Sequence, residues 1–167
     1  MLVFDASTLI LVAKVEMLDS FLDHVGLDVA IPLAVEKECC GVKKSLDALM
    51  IRKALDEARI RVTLAKDSKL VMKLQSDFGL GRGESEAIVL AHSARARVLG
   101  IDDKNGINAC KLLGIAFTTA IGILVRMYEK RLLATDEALA KLAGLAKHGC
   151  YRISILEDAR RRLETVS

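Results

Sequence analysis

Short apolar runs alternate along the chain with stretches in which apolar residues recur at helical spacing. Leu2-Val3-Phe4 is a run suited to a buried strand, and Ser7 or Thr8 then offers a cap for a helix whose spacing is kept by Ile10, Leu11, Leu18, Phe21 and Leu22. A second run at 29–31 meets Pro32, a residue at home in the first helical turn, so 33–40 continues as helix. After Ser45, residues Leu46, Leu49, Met50, Ala54 and Leu55 keep three-and-four spacing, and 60–64 alternates as a strand. Asp67 or Ser68 caps a helix reaching Leu74. Beyond the Gly79-Leu80-Gly81-Arg82-Gly83 loop, 84–96 is apolar nearly all round, as befits a central helix packed on both sides. Strands at 98–101 and 115–118 bracket a helix at 104–113 closed by Gly114, and helices follow at about 120–130, 136–147 and 154–164.

Strands alternating with helices predict an α/β chain: a three-layer α/β/α fold with a central parallel sheet, because parallel neighbours need long right-handed crossovers. With 167 residues, 52% of them hydrophobic, one Pro and no evident linker, one domain is expected over 1–167. Its α/β core would span about 1–119 and extra C-terminal helices about 120–167. No apolar stretch approaches the roughly 20 residues of a membrane span, and no basic leader with a cleavage site opens the chain, so a soluble cytoplasmic protein without membrane contact is expected. Cys39, Cys40, Cys110 and Cys150 form no C-x-x-C pair and are expected as core thiols. His24, His92 and His148 lack a partner at i+4 and carry no assigned chemistry. A net charge of +3 permits nucleic acid without proving it, and 4% aromatics argue against a base-stacking surface.

Carboxylates stand where the runs end: Asp5, Glu38, the pair Glu84 and Glu86, and the pair Asp102 and Asp103. In a parallel sheet those places share one rim, and acids gathered there repel unless a divalent cation neutralises them or one stays protonated. Magnesium or manganese is therefore expected. Each acid also has a plainer role. Asp5 would cap the first helix if Ser7 and Thr8 did not already offer that, Glu36 competes with Glu38, and Asp102 and Asp103 diverge at a strand end. Glu84 and Glu86 subtend roughly 200° on a helix, so one of them serves the helix dipole; that role falls to Glu84 and the metal to Glu86. Ser7 either supports bound water or caps a helix. Lys104 and Arg160-Arg161-Arg162 are read as solvated surface.

The segments Val3-Phe4-Asp5-Ala6-Ser7-Thr8-Leu9-Ile10, Ile31-Pro32-Leu33-Ala34-Val35-Glu36-Lys37-Glu38, Gly83-Glu84-Ser85-Glu86-Ala87-Ile88 and Ile101-Asp102-Asp103-Lys104 resemble the successive motifs of PIN domains, in particular a VapC-like prokaryotic branch. The resemblance extends through Gly122-Ile123-Leu124-Val125 and Lys130-Arg131-Leu132-Leu133. It implies a magnesium- or manganese-dependent endoribonuclease acting on an RNA substrate, the toxin of a type II toxin–antitoxin pair, with an antitoxin partner and a homodimeric state. Its metal ligands would be Asp5, Glu38, Glu86 and Asp103, with Asp102 and Glu84 as additional ligands. One departure is visible: relatives carry Ala-Arg after the Asp-Asp-Lys segment, where this chain has Gly106-Ile107. A PIN-fold binding or regulatory module with a weak site is the alternative. A dehalogenase-like phosphatase is disfavoured because its second acid would fall at Ser7.

Overall fold

The computed structural model describes residues 1–42 and 44–165. The elements run β1 (Leu2–Phe4), α1 (Ala6–Lys14), α2 (Leu18–His24), β2 (Val29–Pro32), α3 (Leu33–Cys40), α4 (Leu46–Asp56), β3 (Ile60–Thr63), α5 (Ser68–Phe78), α6 (Arg82–Ser93), β4 (Val98–Gly100), α7 (Lys104–Leu113), β5 (Phe117–Thr118), α8 (Ala120–Glu129), α9 (Thr135–His148) and α10 (Ile153–Thr165). The five strands form one parallel sheet in the order β3-β2-β1-β4-β5, so β1 lies at its centre. Successive side chains of β1 go to opposite faces. Leu2 and Phe4 join a core with Leu9, Met17, Ile51 and Leu124, whereas Val3 joins a second core with Leu74, Ile88 and Cys110. The expected three layers are therefore present, with α5, α6 and α7 on one face of the sheet and the remaining helices on the other.

The helical tail is not surplus to this architecture. Ala138, Leu142, Leu145, Ala159 and Leu163 are buried in the first core, so the C-terminal helices help to close it. Two helices replace the continuous spacing expected from 10 to 22. Glu16 takes a left-handed φ of 56°, and the amides of Glu16 and Met17 turn back onto Ala13 and Val12. Lys141 of α9 donates to the freed carbonyls of Val15 and Glu16 at 3.0 and 3.3 Å, so the break is held from outside. The strand expected at 115–118 shrinks to two residues. Cys150 is exposed, unlike the other three cysteines, because it lies on the connection between α9 and α10.

Candidate active site

The sheet puts Asp5 and the Asp102-Asp103 pair side by side. Phe4 is in register with Gly100 on parallel strands, and the Asp5 amide donates to the Gly100 carbonyl at 2.9 Å, so both chains leave the sheet at the same edge. Gly100 permits this: a Cβ there would fall 2.5 Å from the Phe4 ring. Asp5 is fully buried and caps α1, accepting from the Thr8 amide at 2.8 Å. The cap thus lies two residues before Ser7 and three before Thr8, the caps expected from sequence. Ser7 instead donates its hydroxyl to the second Asp5 oxygen at 2.7 Å. Burial raises the Asp5 carboxyl from 3.8 to about 7; the Ser7 and Thr8 hydrogen bonds oppose that rise, and the neighbouring Asp102 charge adds to it.

Asp102 is the most heavily engaged acid. One oxygen accepts from the Thr8 hydroxyl at 2.8 Å and the Ala120 amide at 2.9 Å, and the other accepts from the Tyr151 hydroxyl at 2.5 Å. Asp103 caps α7 through the Gly106 amide at 2.8 Å, using one oxygen only among the described residues. The Gly106-Ile107 departure has a packing reason: a Cβ at 106 would lie 2.3 Å from Ile101, and half-buried Ile107 packs on the second core. An apolar contact occupies position 107, where the family resemblance implied an arginine.

The first turn of α6 supplies the remaining acids. Glu84 reaches back to accept from the Gly81 amide at 2.8 Å, as expected of the acid nearer the helix start. It also faces the cluster. Its carboxyl is raised by partial burial and further by the charges of Asp103 and Glu38, against the Gly81 hydrogen bond. Glu38, exposed on α3, lies against this turn, where a Cβ at Gly83 would stand 2.8 Å from its Oε2. Glu86 points elsewhere: Arg82 pairs with it at 2.7 Å and the Ala34 amide donates to it at 3.2 Å. The candidate acids therefore open onto two concavities. Glu38 and Glu86 line one of about 370 Å³; Glu84, Asp102 and Asp103 line another of about 460 Å³ together with Ser7, Lys14, Lys104, His148 and Tyr151.

All six acids are hard oxygen donors, a set that fits a divalent cation in kind, while Lys14 and Lys104 share the larger concavity and Arg82 pairs with Glu86. Among the described residues no three His, Cys, Asp or Glu side chains stand close enough to clasp an ion without side-chain movement. The nearby Cys110 thiol is pushed up to about 11 by burial and by the Asp5 charge, which leaves it an inert core group. Tyr151 was invisible as a site residue in sequence, since nothing local marks a tyrosine 49 positions beyond its partner as part of the acid network.

A family model described as a PIN domain matches residues 1–164. No curated protein and no solved structure matches the chain.

Proposed function

Because the chain belongs to the PIN-domain family, a nuclease fold, we propose that it is a divalent-metal-dependent endoribonuclease of the VapC-like branch and the toxin of a toxin–antitoxin pair. The observation that carries this reading is geometric: buried Asp5 leaves the sheet beside the strand that leads into Asp102 and Asp103, and Glu84 lines the same concavity as that pair. Asp5, Glu38, Glu84 and Asp103 would hold magnesium or manganese. Glu86 joins that set only by releasing Arg82, which is why Glu84 takes the place the sequence assigned to Glu86. When bound, the cation supplies Lewis-acid activation of water and neutralises charge on the phosphate oxygens.

The chain's own groups do the rest. Ser7 and Thr8 fix the two Asp5 oxygens, and Thr8 also fixes Asp102, so the central carboxylates are held in one orientation before any ligand arrives. Lys14, Lys104 and His148, on the wall of the larger concavity, would take RNA phosphates, where the sequence had read Lys104 as solvated surface.

The test is cleavage of RNA with magnesium or manganese, with chelator, and with Asp5→Asn. Cleavage is expected only with the cation and parental carboxylate, and manganese should raise the melting temperature of the parent well above that of the variant. Metal-independent cleavage, or parental rates in Asp5→Asn, would overturn the mechanism. A second reading, a binding module with an idle site, draws on the spread of the acids and on Ile107 standing where the family resemblance implies an arginine. It requires no cleavage under any metal. An adjacent gene for a small protein that blocks cleavage would establish the antitoxin pairing.

A further inference from the structure

A third concavity of about 370 Å³ lies between α2 and α8, reaches the entry residues of β1 and β4, Leu2 and Val98, and shares no lining residue with the two that the acids line. Its floor is apolar, built by Leu2, Phe21, Val25, Ile123 and Met127. Phe21 is braced edge-on against the buried Phe4, with ring centroids 5.9 Å apart, so that floor is stiff. The volume falls within the roughly 300–1,000 Å³ of small-ligand sites.

The charged part of the wall has one sign. Arg97, Arg126 and Lys130 line it beside His24 and Thr118, and no carboxylate of the described residues does, in a chain with 22 acidic residues. Acids nearby in sequence are held by other arginines: Asp23 by Arg59 at 2.7 Å, Asp28 by Arg61 at 3.1 Å, and Glu129 chiefly by Arg162 at 2.8 Å, with Arg126 at 3.3 Å. Arg97 and Lys130 are exposed and make no ion pair among the described residues. Two uncompensated cations over an apolar floor complement a molecule with the opposite layout. A metal ion is excluded by the cationic lining, and an extended nucleic acid strand finds one aromatic ring and no run of stacking faces.

We propose that this concavity binds a small amphipathic anion of the medium-chain carboxylate class, its aliphatic part on Phe21, Ile123 and Met127 and its carboxylate toward Arg97 and Lys130. The site is separate from the acid cluster, so the inference does not rest on the nuclease reading. It is tested with the full chain and two probes: anilinonaphthalene sulfonate fluorescence, and its displacement by decanoate. Saturable binding is expected, displaced by decanoate but not by inorganic phosphate, and weakened at least tenfold in Arg97→Glu/Lys130→Glu with an unchanged circular dichroism spectrum. Independently of any variant, decanoate should shift the methyl resonances of Leu2 and Ile123. Undiminished binding in the double variant, displacement by phosphate, or unmoved methyl resonances would each overturn the proposal. So would charge-dependent sedimentation with anionic vesicles in the absence of decanoate binding, which would assign the surface to a membrane instead.

Discussion

Asp5 carries opposing demands at a single residue. It caps α1 as an acceptor, yet burial makes its charged form costly, lifting the carboxyl from 3.8 to about 7. The folded state therefore binds this proton more tightly than the unfolded chain does. Its contribution to stability is fully present below about pH 4, is lost as pH rises through about 7, and stays lost above it. Without metal, the parent should lose stability over that window relative to Asp5→Asn, and by pH 8 the variant should be the more stable by on the order of 2–4 kcal/mol. Urea titrations from pH 4 to 8 with chelator test this; a constant difference between the two proteins would refute it. Tyr151 acts at the same scale through Asp102. Its own hydroxyl is pushed up by burial and by the Asp102 charge, so it stays a donor. Tyr151→Phe leaves Asp102 held by Thr8 and Ala120 but free to swing at one oxygen. On the proposed activity, kcat should fall about tenfold, a loss of roughly 1.4 kcal/mol, with KM for RNA little changed. A parental kcat would remove Tyr151 from the network's function.

Element boundaries show a second kind of constraint. Gly79 and Gly114 end α5 and α7 at φ 65°, the left-handed conformation glycine adopts freely. Glu16, Ala58, Arg95 and Arg131 stand in the same conformation, at φ 48° to 60°, after α1, α4, α6 and α8. Such residues cost roughly 1–2 kcal/mol relative to glycine. Ala58 gives the cleanest test because it is exposed and has almost no side chain to lose. Ala58→Gly should raise the unfolding free energy by about 1 kcal/mol, read as a higher urea midpoint at unchanged slope. A lowered midpoint would show that this turn costs the native state nothing.

The whole molecule closes its core with its own C-terminal helices, whose Ala138, Leu142, Leu145, Ala159 and Leu163 are buried within the chain. Exposed apolar side chains lie instead on α4 (Leu46, Leu49), at and just beyond the edge strand β3 (Val62, Leu64), and on α10 (Ile153, Ile155). An edge strand with exposed Val62 is a site where copies of a chain associate. We propose a homodimer on this ground. Sedimentation at micromolar concentration should give twice the 18.2 kDa chain mass, and a monomer there would reject the proposal.

The order of strands and helices was legible because apolar periodicity reports which residues face a core, and that information is local. Gly114 marked a helix end for the same reason, since φ is a property of one residue, whereas the helix expected to reach Leu74 runs on to Phe78 before Gly79 ends it. The parallel sheet followed from alternation, and with it the meeting of Asp5 and Asp103 at one edge. What sequence left open were choices between neighbours: Glu84 or Glu86, Asp102 or Asp103, Asp5 or Ser7 as the cap. Each depends on the direction of a side chain relative to groups distant in the chain. Arg82 and the Ala34 amide draw Glu86 aside, while Thr8, Ala120 and Tyr151 claim Asp102. Spacing along a chain determines which face a residue lies on; only packing determines what waits on that face to receive its hydrogen bond or its charge.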